Sequence, residues 1–350
     1  MNGIGNDTTL VIPVLDEEDY IGACLDHVLP QIDELSEVIV VDNGSTDRTV
    51  EIVEKYAASE PKIRLVHEPR KGLFFSRNTG FREAKSDIVG RIDADTRIGA
   101  GWVDAVKSTF AEADPSLNLG GITGLSAPYD SPFSRSKKML VDVLVRAKML
   151  GNSMKIDNMH GANMAVRLDA WNAVQDKLTS RADVHEDIDF ALCLIEAGYS
   201  IVQPTEMWAD ISPRRALTPP LKYTSFVKAG ITSFEIHGRS NWSLRWLVAP
   251  VTWLSHAVFW FPYRAYDPVE FVLPEAAAHR AGLPAGGAVG SAIGPLNVRA
   301  GLLRADPDGD VGVDDLCAGG IPQADRNDEF AAGGHLVPLG DFGELGRRRQ

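Results

Sequence analysis

Two aspartates one residue apart, Asp93 and Asp95, close the apolar run Asp87-Ile88-Val89-Gly90-Arg91-Ile92. The run reads as a short buried strand, and on a straight continuation residues two apart share a face. Paired carboxylates at the C-terminal end of a strand can meet one hard cation, which takes oxygen ligands and shares them with phosphate oxygens. That spacing alone also describes solvated aspartates beside a strand. Further acids narrow the choice. Asp16-Glu17-Glu18 follow the β-branched run Thr9–Leu15, Asp42 ends Glu37–Val41, and Glu186-Asp187 open an apolar helical pattern.

The elements that must position these acids alternate. Strands are expected at 9–15, 37–42, 63–66 and 88–92, with helices at 20–30, 48–58 and 72–85 between them. Thr46 or Asp47 is placed to cap the second helix. Such alternation builds a parallel sheet wrapped by helices, whose binding sites lie at the carboxyl ends of the strands. Asp16, Asp42 and Asp93/Asp95 all fall at such ends. Beyond them the pattern gives a helix at 100–113, a strand at 119–126 and a helix at 134–150. A Gly-Ala-Asn turn then leads into a strand ending near Arg167, followed by a helix at 184–197 and a strand at 200–203. The order of these later pieces in the sheet is left open by pattern alone.

The 350 residues carry a net charge of −13, which argues against a nucleic-acid partner. Cys24, Cys193 and Cys317 are dispersed and odd in number, so neither a disulfide framework nor a zinc site is implied, and a reducing, cytoplasmic setting fits. The polar start Met1–Thr8 is expected to carry no signal peptide. Gly3-Ile4-Gly5 precedes its strand instead of following it, which discards a dinucleotide fingerprint. From Leu244 to Tyr263 aromatic and apolar residues dominate, but Trp246–Phe261 is 16 residues, short of a span. Trp and Tyr at its ends suit a membrane interface. After Asp267 the chain is glycine-rich, with no Lys, Tyr or Trp and no sustained periodicity, which reads as an irregular, disordered tail. Asp306–Asp310 departs from a calcium loop in its glycine position and its missing glutamate.

Five motifs in order, Ile12-Pro13-Val14-Leu15-Asp16-Glu17-Glu18, Val40-Val41-Asp42-Asn43-Gly44-Ser45-Thr46-Asp47, Lys71-Gly72-Leu73-Phe74-Phe75-Ser76-Arg77-Asn78-Thr79-Gly80, Asp93-Ala94-Asp95 and Glu186-Asp187, resemble family 2 glycosyltransferases over about Thr9–Arg215. The resemblance implies an α/β fold of GT-A type: a Rossmann-like, mostly parallel sheet flanked by helices. Asp16 departs from it, since asparagine usually precedes the glutamate. By this likeness Pro13, Glu17 and Asp42 hold the donor nucleotide, with Arg77 pairing a phosphate or Asp93, and Asn78 fixing its loop. Asp95, and less directly Asp93, bind Mg²⁺ or Mn²⁺ on the diphosphate. Arg214 and Arg215 add phosphate contacts, and His237 is the nearby candidate for a further metal ligand. Asp187 is the general base, Glu186 an acceptor contact, and Gly161, Ala162 and Asn163 the loop beside sugar and acceptor, with His160 a neighbour of structural or acceptor-binding kind.

The reading is a metal-dependent, inverting glycosyltransferase domain over 1–215, a helical membrane-interfacial segment over 216–266, and the tail over 267–350. It takes a nucleoside-diphosphate sugar and a hydroxyl acceptor, glycan or lipid-linked, for envelope polysaccharide or glycolipid synthesis. Its expected place is the cytoplasm, peripheral on the inner face of the cell membrane. The rivals are a non-catalytic nucleotide-sugar binder and a sugar-phosphate nucleotidyltransferase. The latter needs a Gly-rich, basic loop after the first strand, where Asp16-Glu17-Glu18 stands.

Overall fold

The structure is a computed structural model, and it describes residues 7–147 and 155–266. Strands β1 (Thr8–Val14), β2 (Glu37–Asp42), β3 (Ile63–His67) and β4 (Ile88–Ile92) alternate with helices α1 (Ile21–Val28), α2 (Thr49–Ser59) and α3 (Leu73–Glu83). Next come β5 (Arg97–Ile98), α4 (Trp102–Ala111), β6 (Leu119–Thr123), β7 (Leu125–Pro128) and α5 (Ser134–Arg146). The chain continues through β8 (Asn163–Arg167), α6 (Leu168–Val174), α7 (Glu186–Glu196), β9 (Ser200–Val202) and β10 (Trp208–Ile211). Helices α8 (Pro220–Ile236) and α9 (Ala249–Ala265) end the described chain. The tail and Asp306–Asp310 lie outside the described residues, as does the end of the helix expected to reach residue 150.

A seven-stranded sheet runs β3-β2-β1-β4-β8-β6-β9. Its first four strands are parallel, β8 is antiparallel to both neighbours, and β9 returns parallel to β6. Continuous apolar runs such as Val38–Val41 suit strands covered on both faces. One core face gathers Leu10, Ile12, Val40, Ile92 and Trp102, the other Val11, Ile39, Val41, Phe81, Trp171 and Phe190. Pro13 lies in β1 without breaking the sheet. Pairing to β4 ends at Val11, so the missing N–H at Pro13 falls beyond that ladder.

The single strand expected at 119–126 is two strands. β6 belongs to the large sheet, while β7 joins β5 and β10 in a three-stranded one. The joint is Gly124, where an added Cβ would lie 1.9 Å from the Met207 carbonyl oxygen and 2.5 Å from Asn163 Nδ2. Backbone packed that closely tolerates no side chain. Gly124→Ala is expected to destabilise the protein by about 1–3 kcal/mol through overpacking, read from urea unfolding midpoints.

Helices α5, α8 and α9 pack lightly. α5 buries no residue, α9 buries only Ala249, and α8 buries Tyr223 and Ser233. They are tied by specific contacts instead. His256 stacks on Tyr223 at 3.6 Å, Trp253 Nε1 donates to the Pro220 carbonyl, and Phe133 meets the rings of Phe259 and Tyr263. Among the described residues no helix is long and apolar enough to cross a membrane.

Candidate functional site

Because β1, β2 and β4 are parallel, the acids following them reach one edge of the sheet. Each is fixed by local chemistry. Asp16 takes a left-handed backbone (φ 53°), a conformation that Asp and Asn tolerate better than most residues. Its Oδ1 accepts from the Thr46 N–H at 2.6 Å and the Thr46 hydroxyl at 3.1 Å. The departure from asparagine is therefore accommodated without rearrangement. Asp42 accepts from the Gly44 and Ser45 N–H groups, and His67 Nδ1 lies at 3.1 Å. Burial opposes its charge, but these hydrogen bonds outweigh that and hold its carboxyl below the usual range. Asp42 thus shapes the turn after β2. Asp47, rather than Thr46, takes the start of α2, accepting from Thr49 N–H at 2.9 Å.

Glu17, Asp93 and Asp95 form the acidic centre. Arg214 reaches it from the chain after β10, pairing with Asp95 at 2.6 Å and with Glu17 at 3.0 Å. Asp93 Oδ1 accepts from Arg91 Nη2 at 2.8 Å, whereas its Oδ2 is buried with no hydrogen-bond partner. Burial, despite the nearby arginines, pushes both Glu17 and Asp93 up to about 7. Crowded, desolvated carboxylates with an orphaned oxygen are short of positive charge. Oxygen donors so placed fit a hard divalent cation held by Asp93 and Asp95.

A buried ion network backs this centre. Arg91, fully buried in β4, holds Asp93 through one nitrogen and Glu186 through the other. Arg77 of α3, also fully buried, pairs with the same Glu186 and lies 5.1 Å over the Phe190 ring. Gly161 is where this network touches the loop, since a Cβ there would sit 2.1 Å from Arg91 Nη1. Next to Glu186, Asp187 accepts from the Gly161 N–H at 3.2 Å and from Ile188 N–H at 2.9 Å. Burial works against its charge, but His185, His160 and Arg91 prevail and hold its carboxyl below the ordinary value. Arg215 is half-buried over Phe226 (4.3 Å), its Nε buried and without a hydrogen-bond partner.

Several expected roles change. Arg77 is enclosed on Glu186 rather than presented to a nucleotide phosphate or to Asp93. Glu186 spends both oxygens on Arg77 and Arg91, so it braces the site and does not face an acceptor. Asn163 is fully buried: its amide donates to the Leu125 and Met207 carbonyls and accepts from Trp102 Nε1 at 2.8 Å, bolting the two sheets together. Ala162 and Pro13 are also buried. Arg214 meets carboxylates, and His237 directs both ring nitrogens to Asp189 and Glu196 instead of the acidic centre. Arg91 was missed, though its signal was there: an arginine inside an apolar strand must find buried partners.

A sheet with acids at its parallel strand ends and a helix-borne carboxylate beside them defines a GT-A-like α/β domain. The glycosyl transferase family 2 model matches residues 9–164. The EpsJ glycosyltransferase of Bacillus subtilis, described as uncharacterized, is 34% identical over 92 residues, which is 26% of this chain and 27% of EpsJ. The AglE glycosyltransferase of Haloferax volcanii is 28% identical over 199 residues, covering 55% of this chain and 62% of AglE. The chain thus spans about a quarter to under two thirds of these two relatives. The mannosyltransferase PcManGT of Pyrobaculum calidifontis, solved with GDP-Man and Mn²⁺, shares the fold at a TM-score of 0.51 and 23% identity, over 78% of each chain. The match to glycosyl transferase family 2 thus covers the N-terminal part of this chain, residues 9–164. Asp187, Arg214 and Arg215 lie beyond that segment.

Proposed function

We propose that the chain transfers a sugar, with inversion, from a nucleoside-diphosphate sugar to a hydroxyl acceptor, with the help of Mg²⁺ or Mn²⁺. The observation that carries this reading is one sheet edge holding a cation-poor carboxylate cluster beside an ionised, buried aspartate. Asp93 and Asp95 would hold the cation, which supplies charge stabilisation for the departing diphosphate. Arg215, with a free Nε, is placed to hydrogen-bond a phosphate, and Arg214 can exchange its carboxylates for one. Glu17 and the turn braced by Asp42 receive the nucleoside. Asp187 takes the acceptor hydroxyl's proton as that oxygen attacks the anomeric carbon. Its depressed pKa keeps it ready as a base at neutral pH. A single displacement from the face opposite the diphosphate inverts the configuration.

The test is thermal stabilisation by a panel of nucleoside diphosphates, with and without Mn²⁺. Saturation at 100 times the dissociation constant should add about 2.7 kcal/mol. Stabilisation by one nucleotide only with metal, lost in Asp95→Ala, is the expected result. A folded protein that responds to no diphosphate would sink the proposal.

The acceptor is proposed to sit at a membrane surface. Trp246, Val251, Leu254, Val258 and Phe261 are all more than half exposed, and Met139, Leu140 and Val143 of α5 are likewise. From Arg214 to Tyr266 there are seven Lys and Arg against one Glu, in a chain of net charge −13. Exposed apolar side chains on a segment with an excess of cations suit an anionic lipid surface. Sedimentation with anionic liposomes, reduced in a Trp246→Ser, Phe261→Ser variant, is expected; a wild-type protein left in the supernatant would overturn it.

A further inference from the structure

On α7, Asp189 and Cys193 stand four residues apart and so share one helix face. His237, just past the end of α8, closes on the same face. One ligand atom from each of the three lies within 4.8 Å of the other two, and the side chains of Asp189 and His237 are 2% and 8% exposed. Cys193 is buried, and its thiol has only a long contact to the Lys177 carbonyl at 3.9 Å.

We infer that Asp189, Cys193 and His237 form a second cation site, for a borderline-soft divalent ion of the zinc type. Carboxylate, thiolate and imidazole are the donors that such an ion takes, in contrast to the all-oxygen set at Asp93 and Asp95. The histidine is already oriented for it. Glu196 Oε1 lies 2.8 Å from Nδ1, which fixes the proton there and points Nε2 at Asp189 Oδ1, 3.0 Å away. Histidine ligands are commonly held by an outer carboxylate in this way. Asp189 Oδ2 is in turn fixed by the Thr179 N–H at 3.0 Å. Tetrahedral ligands at zinc bond lengths stand roughly 3.5 Å apart, so a contraction of about 1 Å completes the triad, with water as the fourth ligand. On binding, the thiol proton and the proton bridging Nε2 and Asp189 leave to solvent, and the ion takes their place. Its effect would be to clamp the end of α8 to α7, the helix whose first turn holds Asp187.

The experiment is a cobalt titration of the full-length chain after chelator treatment, followed by absorbance. One equivalent of Co²⁺ should give the near-ultraviolet thiolate-to-cobalt band, present in Asp95→Ala and lost in both Cys193→Ser and His237→Gln. Zinc should displace the cobalt and raise the melting temperature of wild type but not of the folded variants. Absence of the band in folded wild type overturns the inference, leaving the cluster as a hydrogen-bonded clamp. A band that survives Cys193→Ser overturns it too, since the thiolate would then come from elsewhere. Two variants guard against misfolding, and the Asp95→Ala arm separates this site from failure of the donor-site proposal.

Discussion

Asp187→Asn should lose about 10²–10⁴-fold in turnover, the usual contribution of a positioned general base, while donor binding and fold persist. The amide keeps the shape and can still accept from the Gly161 N–H, but it cannot take a proton. Burial would raise the Asp187 carboxyl, and the neighbouring His185, His160 and Arg91 more than cancel that, which lowers it below the ordinary carboxylate value. Activity limited by this base should therefore be flat near neutrality and fall only as pH drops into the acid range. A depressed carboxylate pKa also means that folding stability from Asp187 is present above its unfolded value and is lost as pH falls through the folded one. Transfer kinetics beside donor-induced thermal shifts make the check. Turnover within tenfold of wild type would remove Asp187 from the base role. Its neighbour offers the contrast: Glu186→Gln should show mainly as lost stability, because both Glu186 oxygens are committed to arginines.

Arg91→Met should be the most destabilising single change at the site, by about 3–5 kcal/mol. Methionine fills much of the volume, so the loss reflects charge. Asp93 and Glu186 would stay buried with their shared cation gone. A loss of that size is a large part of the 5–15 kcal/mol that holds a typical domain together. Arg91→Lys should recover little, since one ammonium cannot span two carboxylates as a planar guanidinium does. Denaturant midpoints on the metal-free protein read the effect directly. An Arg91→Met protein as stable as wild type would mean that the network is incidental, and that Asp93 is positioned by the strand alone.

The first four strands and three helices, and the acids at their ends, were legible because they rest on local rules. Period-two and helical patterning, turn-forming Asn43-Gly44 and a carboxylate at a strand end each involve residues a few positions apart. Asp187 also stood out locally, as an acid opening a helix. What each acid does was harder to read. Glu186 and Asp187 are adjacent in sequence and equivalent in type, yet one is spent on two arginines and the other is proposed to react. That split comes from Arg77 and Arg91, 109 and 95 positions from Glu186, meeting it in the interior. Asn163 is a similar case. Its Gly-Ala-Asn setting suggested ligand contact, and only the approach of Trp102, Leu125 and Met207 makes it an internal bolt.

The chain's own pattern determined the parallel half of the sheet, the edge where chemistry gathers and the residue types able to hold a cation and move a proton. Tertiary structure alone decided the antiparallel β8, the second sheet that begins at Gly124, and which carboxylates are neutralised and which are left short of charge. The physical reason is range. Patterning is set by neighbours along the chain, whereas desolvation and ion pairing depend on which distant groups the fold brings into contact.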